Sequence, residues 1–116
     1  MRHTKPAVAL LFLLTLAHAA FGQTGGVITG VISDPAGAVV SNAPIEARNS
    51  ETGVVVSAAT SATGNYVLGD LPAGTYEIDV AMTGFKKYIQ TGITVQQLQT
   101  TRVDVALLIG ASTDAD

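Results

Sequence analysis

The chain has 116 residues, of which 47% are hydrophobic and 13% are charged, and it contains no cysteine. Its length suffices for one domain and not for two, and the absence of cysteine excludes disulfide bonds and the acylated cysteine of a lipoprotein. The formal net charge of −3 and the single cationic pair, Lys86-Lys87, argue against nucleic acid as a partner, because phosphate binding needs a basic patch.

The first 22 residues have the pattern of a cleavable signal peptide. Basic residues stand at positions 2, 3 and 5, and Ala7–Ala17 is an eleven-residue run that is apolar at all but one position. A membrane anchor is the alternative, but this run is well short of the roughly 20 residues that cross a bilayer. Small residues permit cleavage after Ala19 or after Gly22, and the polar segment that begins at Gln23 favours the second.

Cleavage after Gly22 defines the mature chain. It leaves 94 residues with four basic and nine acidic side chains, a net charge of −5, and it removes both histidines. Neither an apolar helix nor a lipid would then insert the mature chain into a membrane. Because an exported chain without cysteine fits a bacterial envelope, we expect a periplasmic, outer-membrane or secreted protein.

Seven β-strands are predicted in the mature chain, separated by turn residues about every ten positions. The first is Gly26–Ser33, which is rich in β-branched residues, and its Gly30 indicates a bulge or a close backbone approach. Asp34-Pro-Ala-Gly37 has the chemistry of a turn. The remaining strands are predicted at residues 43–49, 54–60, 65–68, 75–82, 86–95 (interrupted at residue 92) and 101–108.

The strand at 75–82 is the clearest of these, since apolar and polar side chains alternate along it. Its predicted inward side chains are Tyr76, Ile78, Val80 and Met82. Tyr66 and Leu68 of the preceding strand are also predicted to point inward, and Leu71 is expected to close the end of the core.

The mature sequence shows no helical period. It therefore predicts an all-β fold, a seven-stranded antiparallel β-sandwich over residues 23–109. Residues 110–116 have no periodic pattern and are expected to form a disordered tail.

The mature chain offers little catalytic chemistry. A Ser or Thr nucleophile needs an adjacent base, normally His or Lys, and the mature sequence has no histidine and has its two lysines side by side. Glu77 and Asp79 could work as paired carboxylates, but both alternate outward and are interpreted as a solvated face. Asp34 and Asp70 are interpreted as turn caps rather than calcium ligands. We therefore expect no enzyme activity, no metal and no cofactor.

A sugar-binding site usually presents an exposed aromatic ring that packs against the apolar face of the sugar. The other mature tyrosines fall on inward positions, which leaves Tyr88, beside Lys86 and Lys87, as the ring placed for such a contact. These three residues are the candidate ligand-binding site. The alternative is that they form a solvated strand edge. Because Lys86–Val95 is the least regular predicted strand, we expect its edge to be open to partners.

A set of glycines and core aromatic residues is distributed over residues 26–108. It consists of Gly30-Val-Ile-Ser-Asp34, Gly37, Ala43-x-Ile45, Thr52-Gly53, Gly64-x-Tyr66, Leu71-x-x-Gly74-x-Tyr76 and Gly84-Phe85. These motifs resemble the carboxypeptidase regulatory-like domain, which implies a transthyretin-like Greek-key sandwich, also described as a carbohydrate-binding-like fold. Asn42 departs from the family pattern, in which a glycine usually precedes the alanine, and we expect it to alter one turn.

The resemblance also implies a context. In many bacteria this domain follows a signal peptide at the N-terminus of large TonB-dependent outer-membrane receptors, ahead of a plug and a β-barrel. The chain looks like such an N-terminal module or fragment, whose partner would be the remainder of the receptor. The alternative is a free-standing periplasmic or secreted module that binds a glycan or a protein. The family name implies no peptidase activity.

Overall fold

The computed structural model describes residues 25–110, in which it shows eight β-strands and no helix. The strands are β1 (Gly26–Ser33), β2 (Pro44–Asn49), β3 (Val55–Ala59), β4 (Asn65–Leu71), β5 (Gly74–Val80), β6 (Tyr88–Val95), β7 (Thr100–Arg102) and β8 (Val105–Ala106). The predicted signal peptide at 1–22 and the predicted tail beyond residue 110 lie outside the described residues.

The strands form two sheets that enclose one hydrophobic core. The first sheet has the order β4-β1-β7, with β8 also paired to β1, and the second has the order β3-β2-β5-β6. The chain passes from one sheet to the other after β1, β3, β4 and β6, as expected for a Greek-key sandwich. The prediction of an all-β sandwich is confirmed.

The last predicted strand, at 101–108, needs two corrections. It is divided into β7 and β8, so the sandwich has eight strands rather than seven. Both pieces pair with β1 in parallel, whereas the other strand pairings are antiparallel. The reason is topological. The connection from β6 reaches the first sheet beside the start of β1, where the N–H of Val27 donates to the carbonyl oxygen of Gln99 at 3.0 Å, so the last segment runs in the direction of β1.

Gly30 lies in the middle of β1, opposite the point at which β7 and β8 are separated. A Cβ atom placed on Gly30 would overlap the carbonyl oxygen of Val103. Of the two roles predicted for Gly30, the close backbone approach is therefore the one that the structure shows. The register shift of β1 against β4 lies nearer the start of the strand, between Gly26 and Ile28.

Apolar side chains at alternate positions of the strands form the core, as predicted. The buried side chains of β4 and β5 are Tyr66, Leu68, Leu71, Tyr76, Ile78 and Val80, none of them more than 1% exposed. Each contributes about 1.5–3 kcal/mol by leaving water. Met82, which was predicted to point inward, lies beyond the end of β5 and packs half-buried against the edge of the core.

Strand β4 is longer than its prediction, which ended at Leu68. It continues to Leu71 through the register shift opposite Val27. Asp70 lies in this irregular part of the strand with φ 55°, so its predicted position in a turn is corrected.

Two connections show why polar residues stand where they do. Asp34 Oδ1 accepts hydrogen bonds from the backbone N–H groups of Ala36 and Ala38, both at 2.9 Å, which confirms that Asp34 caps a turn. Asn42 has φ 59°, a left-handed conformation that glycine adopts freely and asparagine tolerates better than most residues. Asn42 therefore occupies a conformation in which a glycine would also be accommodated.

Candidate functional site

The three candidate residues lie together where the β5–β6 connection enters β6. Lys86, Lys87 and Tyr88 line a cavity of about 260 Å³ with Ala106 and Leu108. Tyr88 is the first residue of β6, whereas Ala106 and Leu108 come from the last segment of the first sheet. The cavity therefore lies where the edges of the two sheets meet, at one end of the sandwich.

Backbone hydrogen bonds hold the two sides of this cavity together. The N–H of Lys86 donates to the carbonyl oxygen of Leu108 at 2.8 Å, and the N–H of Gly110 donates to that of Gly84 at 3.2 Å. The segment at 84–86 is thus paired with the segment at 108–110. This pairing fixes the backbone of Lys86 beside that of Leu108, and both residues line the cavity.

Tyr88 is half-buried, whereas the sequence predicted an exposed ring. Its ring packs against the hydrophobic core, and in the pairing of β5 with β6 it lies opposite Val80. Its hydroxyl donates a hydrogen bond to Gln90 Oε1 at 2.5 Å. A ligand in the cavity would therefore meet part of the ring and not a free aromatic face. The binding role of the three residues stays a prediction.

The two lysines bring positive charge to the cavity. Within residues 25–110 the ion pair present is that of Arg102 Nη2 with Asp104 Oδ1, at 3.1 Å. The amino groups of Lys86 and Lys87 thus have no carboxylate partner within 4.0 Å in this part of the chain. Two cationic side chains thus border this cavity.

A second cavity, of about 130 Å³, opens on the outer face of the second sheet. Its lining residues are Pro44, Glu46, Asp79, Ala81 and Lys87. Glu46 and Asp79 stand directly opposite each other on β2 and β5, and like charges in this arrangement destabilise a sheet. Lys87 lines both cavities, so its charge lies between the proposed site and these carboxylates.

The carboxylates of β5 interact with each other more closely than the predicted solvated face suggests. The side chain of Asp79 raises the pKa of Glu77, because it can accept a hydrogen bond from the protonated form of Glu77 and because its negative charge disfavours the ionised form. Asp79 Oδ1 is buried and has no hydrogen-bond partner among the described residues. Within residues 25–110, no group of three or more histidine, aspartate or glutamate side chains is placed to hold a metal ion.

Ala106 and Leu108 are the cavity residues that the sequence did not single out. The inward alternation of Val103, Val105 and Leu107 implied that their neighbours point outward. Nothing local indicated, however, that this segment would lie beside Lys86, because that contact depends on how the two sheets meet.

The family model of the carboxypeptidase regulatory-like domain matches residues 27–108. The chain belongs to this family. The match covers nearly all of the described residues, so the resemblance inferred from the sequence motifs is confirmed. No curated protein sequence matches this chain. In residues 25–110, no helix has the length and apolar character needed to cross a membrane.

Solved structures with a similar fold come from proteins of different kinds. The Bacillus anthracis TIE protein is 21% identical, with a TM-score of 0.60 over 74% of this chain and 17% of its own. A candidate carbohydrate binding protein from Bacteroides uniformis is 21% identical, with a TM-score of 0.56 over 70% of this chain and 40% of its own. Catechol 1,2-dioxygenase from an Acinetobacter species is 11% identical, with a TM-score of 0.62 over 82% of this chain and 56% of its own.

At these identities the likeness shows the fold alone. This carboxypeptidase regulatory-like domain spans less than two thirds of the length of each of the three proteins. The presence of an enzyme beside a candidate carbohydrate binding protein illustrates that one sandwich fold carries unrelated functions. The function has to be argued from the residues of the site.

Proposed function

We propose that this carboxypeptidase regulatory-like domain is an exported, non-catalytic binding module whose ligand occupies the cavity at Lys86, Lys87 and Tyr88. The observation that carries the proposal is the cavity itself, where two lysines meet an aromatic ring and Leu108. Among residues 25–110, neither lysine has a carboxylate partner within 4.0 Å. This combination suits a ligand that has a negative group next to an apolar one. Membership of the family supports a binding role.

The adjoining strand favours a protein segment as the ligand. Strand β6 is the outermost strand of the second sheet, and no described strand pairs with its outer side. It contains neither proline nor a charged residue, two of the devices that prevent an edge strand from pairing with another chain. A third device, a bulge, is present at Thr91 and Gly92, so the part of the edge that is open to a partner is the part before Thr91. An extended acidic peptide could add to this edge through its backbone while its carboxylates contact Lys86 and Lys87.

The test is a binding assay with extended peptides that differ in the number of acidic residues. Replacing both lysines, in the variant Lys86→Gln with Lys87→Gln, is expected to weaken the binding of an acidic peptide by up to about tenfold. Both side chains are exposed, an exposed ion pair contributes roughly 0.2–1 kcal/mol, and about 1.4 kcal/mol corresponds to a tenfold change in affinity. The matched control is Arg48→Gln with Arg102→Gln, which removes two exposed cations that do not line the cavity. An equal loss in both variants would show general charge attraction and contradict the proposed site.

Tyr88 favours a second candidate function, the binding of a glycan. Part of its ring borders the cavity, and one of the solved structures of this fold is that of a candidate carbohydrate binding protein. Tyr88→Leu keeps an apolar side chain against the core and removes the ring. If glycans are the ligands, this variant loses binding to a glycan panel, whereas peptide binding through the edge of β6 is retained.

We further propose that the module is the N-terminal domain of a TonB-dependent outer-membrane receptor, so that one partner is the remainder of that receptor. The family resemblance and the predicted signal peptide support this context. Sequencing the genomic locus beyond the codon of Asp116 tests it. An open reading frame that continues into a plug and alternating segments of about ten residues supports the receptor. A stop codon favours the free-standing module.

A further inference from the structure

The structure assigns a mechanical role to the first sheet. We propose that the domain is a tension-bearing module, in which force applied along the chain between Gly25 and Gly110 is resisted by hydrogen bonds loaded in shear. This inference goes beyond the proposed function and does not depend on which ligand binds. It is carried by the parallel pairing of β1 with β7 and β8.

The parallel pairing places the two ends of the described chain at opposite ends of the sandwich. In the register, Val27 lies beside Thr100 at the start of β1, and Ser33 lies beside Ala106 at its finish. The eight residues of β1 span about 25 Å at about 3.3 Å per residue. The chain thus enters beside one end of the ladder and leaves beside the other.

Tension on such a pair acts along the strands. It pulls β1 towards its start and β8 towards its finish, so the hydrogen bonds between them are stretched together. In a hairpin pulled apart at its open end, by contrast, the bonds break one after another. Because β1 also pairs with β4 on its other side, displacing it requires both ladders to slip.

The gap between β7 and β8 would be the weak point of this arrangement, but it is bridged. Asp104 Oδ1 accepts a hydrogen bond from the backbone N–H of Val31 at 3.0 Å, and the N–H of Val103 donates to the carbonyl oxygen of Thr29 at 2.8 Å. Tyr66, from β4, donates its hydroxyl to the carbonyl oxygen of Val103 at 2.5 Å. The interruption therefore connects three strands instead of leaving polar groups unpaired.

A further pairing lies on the outgoing side of the chain. Phe85 and Ile109 form an antiparallel bridge, flanked by the hydrogen bonds of Lys86 with Leu108 and of Gly110 with Gly84. Tension at Gly110 reaches this short segment before it reaches β8. We therefore expect this short pairing to break first, as a small extension of the chain before the main rupture.

Single-molecule force spectroscopy on the full chain tests the proposal. In one arrangement, handle proteins fused to both ends load β1 against β7 and β8. In the other, handles are attached at Ser41→Cys and Ala62→Cys, which flank the β2–β3 hairpin at one end of the sandwich and peel β3 from β2. The attachment is specific because the chain has no other cysteine. The proposal expects a higher rupture force between the chain ends than across the hairpin, and an equal or lower one overturns it.

Two variants locate the resistance. Asp104→Ala removes the acceptor for the N–H of Val31 and is expected to lower the rupture force between the chain ends without changing the force across the hairpin. Asp104→Asn retains a side-chain oxygen and is expected to keep most of the resistance. Equal forces in the wild type and in Asp104→Ala would contradict the bridging role of Asp104. The comparison of the two pulling directions does not use a variant at Asp104, so it remains a valid test even if Asp104→Ala fails to fold.

Discussion

The hydroxyl of Tyr66 donates a hydrogen bond across β1 to the carbonyl oxygen of Val103. Tyr66 belongs to β4, and Val103 lies between β7 and β8. Strand β1 passes between them with Gly30 at this level, where it lacks a side chain. A core tyrosine, a glycine and an interrupted strand thus form one arrangement, and each of the three can be tested by substitution.

Gly30→Ala is predicted to destabilise the domain. The added Cβ would overlap the carbonyl oxygen of Val103, and backbone atoms cannot move aside as a flexible side chain can. We expect a loss of about 1–3 kcal/mol in the free energy of unfolding, measured by urea titration. Gly69→Ala is the matched control, because a Cβ there meets no atom within 4 Å. Equal unfolding midpoints for the two variants would contradict the close approach.

The stability of the domain is predicted to fall at alkaline pH. Burial, and secondarily the charge of Asp104, raise the pKa of Tyr66 above the ordinary value of 10.0. The unfolded chain then releases this proton at a lower pH than the folded chain does. The folded state thus binds more protons above about pH 10, and stability decreases as pH rises through that range.

Tyr66→Phe is expected to remove this part of the pH dependence. The variant should also be less stable near neutral pH by about 1–3 kcal/mol, since the carbonyl oxygen of Val103 loses its donor. Unfolding by urea at a series of pH values measures both effects. Parallel loss of stability in the wild type and in the variant would show that Tyr66 is not the group responsible.

Asn42 provides a test of backbone conformation. Its φ of 59° is costly for residues with a Cβ, by roughly 1–2 kcal/mol for those that lack a compensating polar side chain. Asn42→Ala is therefore expected to lower the melting temperature, and Asn42→Gly to leave it nearly unchanged. The reverse order would argue against a left-handed turn at this position.

The open edge of β6 is predicted to exchange its amide protons quickly. Ile89 and Thr91 lie in the outermost strand of the second sheet, whereas β1 is covered on both sides by other strands. Hydrogen exchange followed by nuclear magnetic resonance should show faster exchange in the first half of β6 than in β1. Uniform protection across both strands would contradict the claim that this edge is available to a partner.

The sequence was most informative where the signal is local. Alternation from Tyr76 to Val80 predicted a strand and its buried face, and Asp34 with Gly37 predicted a turn, because side-chain direction and turn chemistry depend on neighbouring residues. The family motifs extended this local reading to the whole sandwich. They could do so because glycines such as Gly30 mark backbone contacts that the fold requires.

Long-range features were the ones that local patterns could not supply. A run such as Thr101–Leu108 alternates in the same way whether it pairs in parallel or antiparallel, and its break at Asp104 depends on the opposing Gly30. The candidate site was incomplete for the same reason. Lys86, Lys87 and Tyr88 are adjacent in sequence, but Leu108 joins them only after the two sheets have met.

The measurement that tests the central claim most directly is a titration of the isotope-labelled chain followed by nuclear magnetic resonance. Acidic extended peptides and a panel of glycans would be added in turn. If the cavity is the binding site, the amide signals that shift are those of residues 86–88, 106 and 108, together with β6 when a peptide is bound. Saturable binding that shifts signals elsewhere and leaves these residues unchanged would contradict the account.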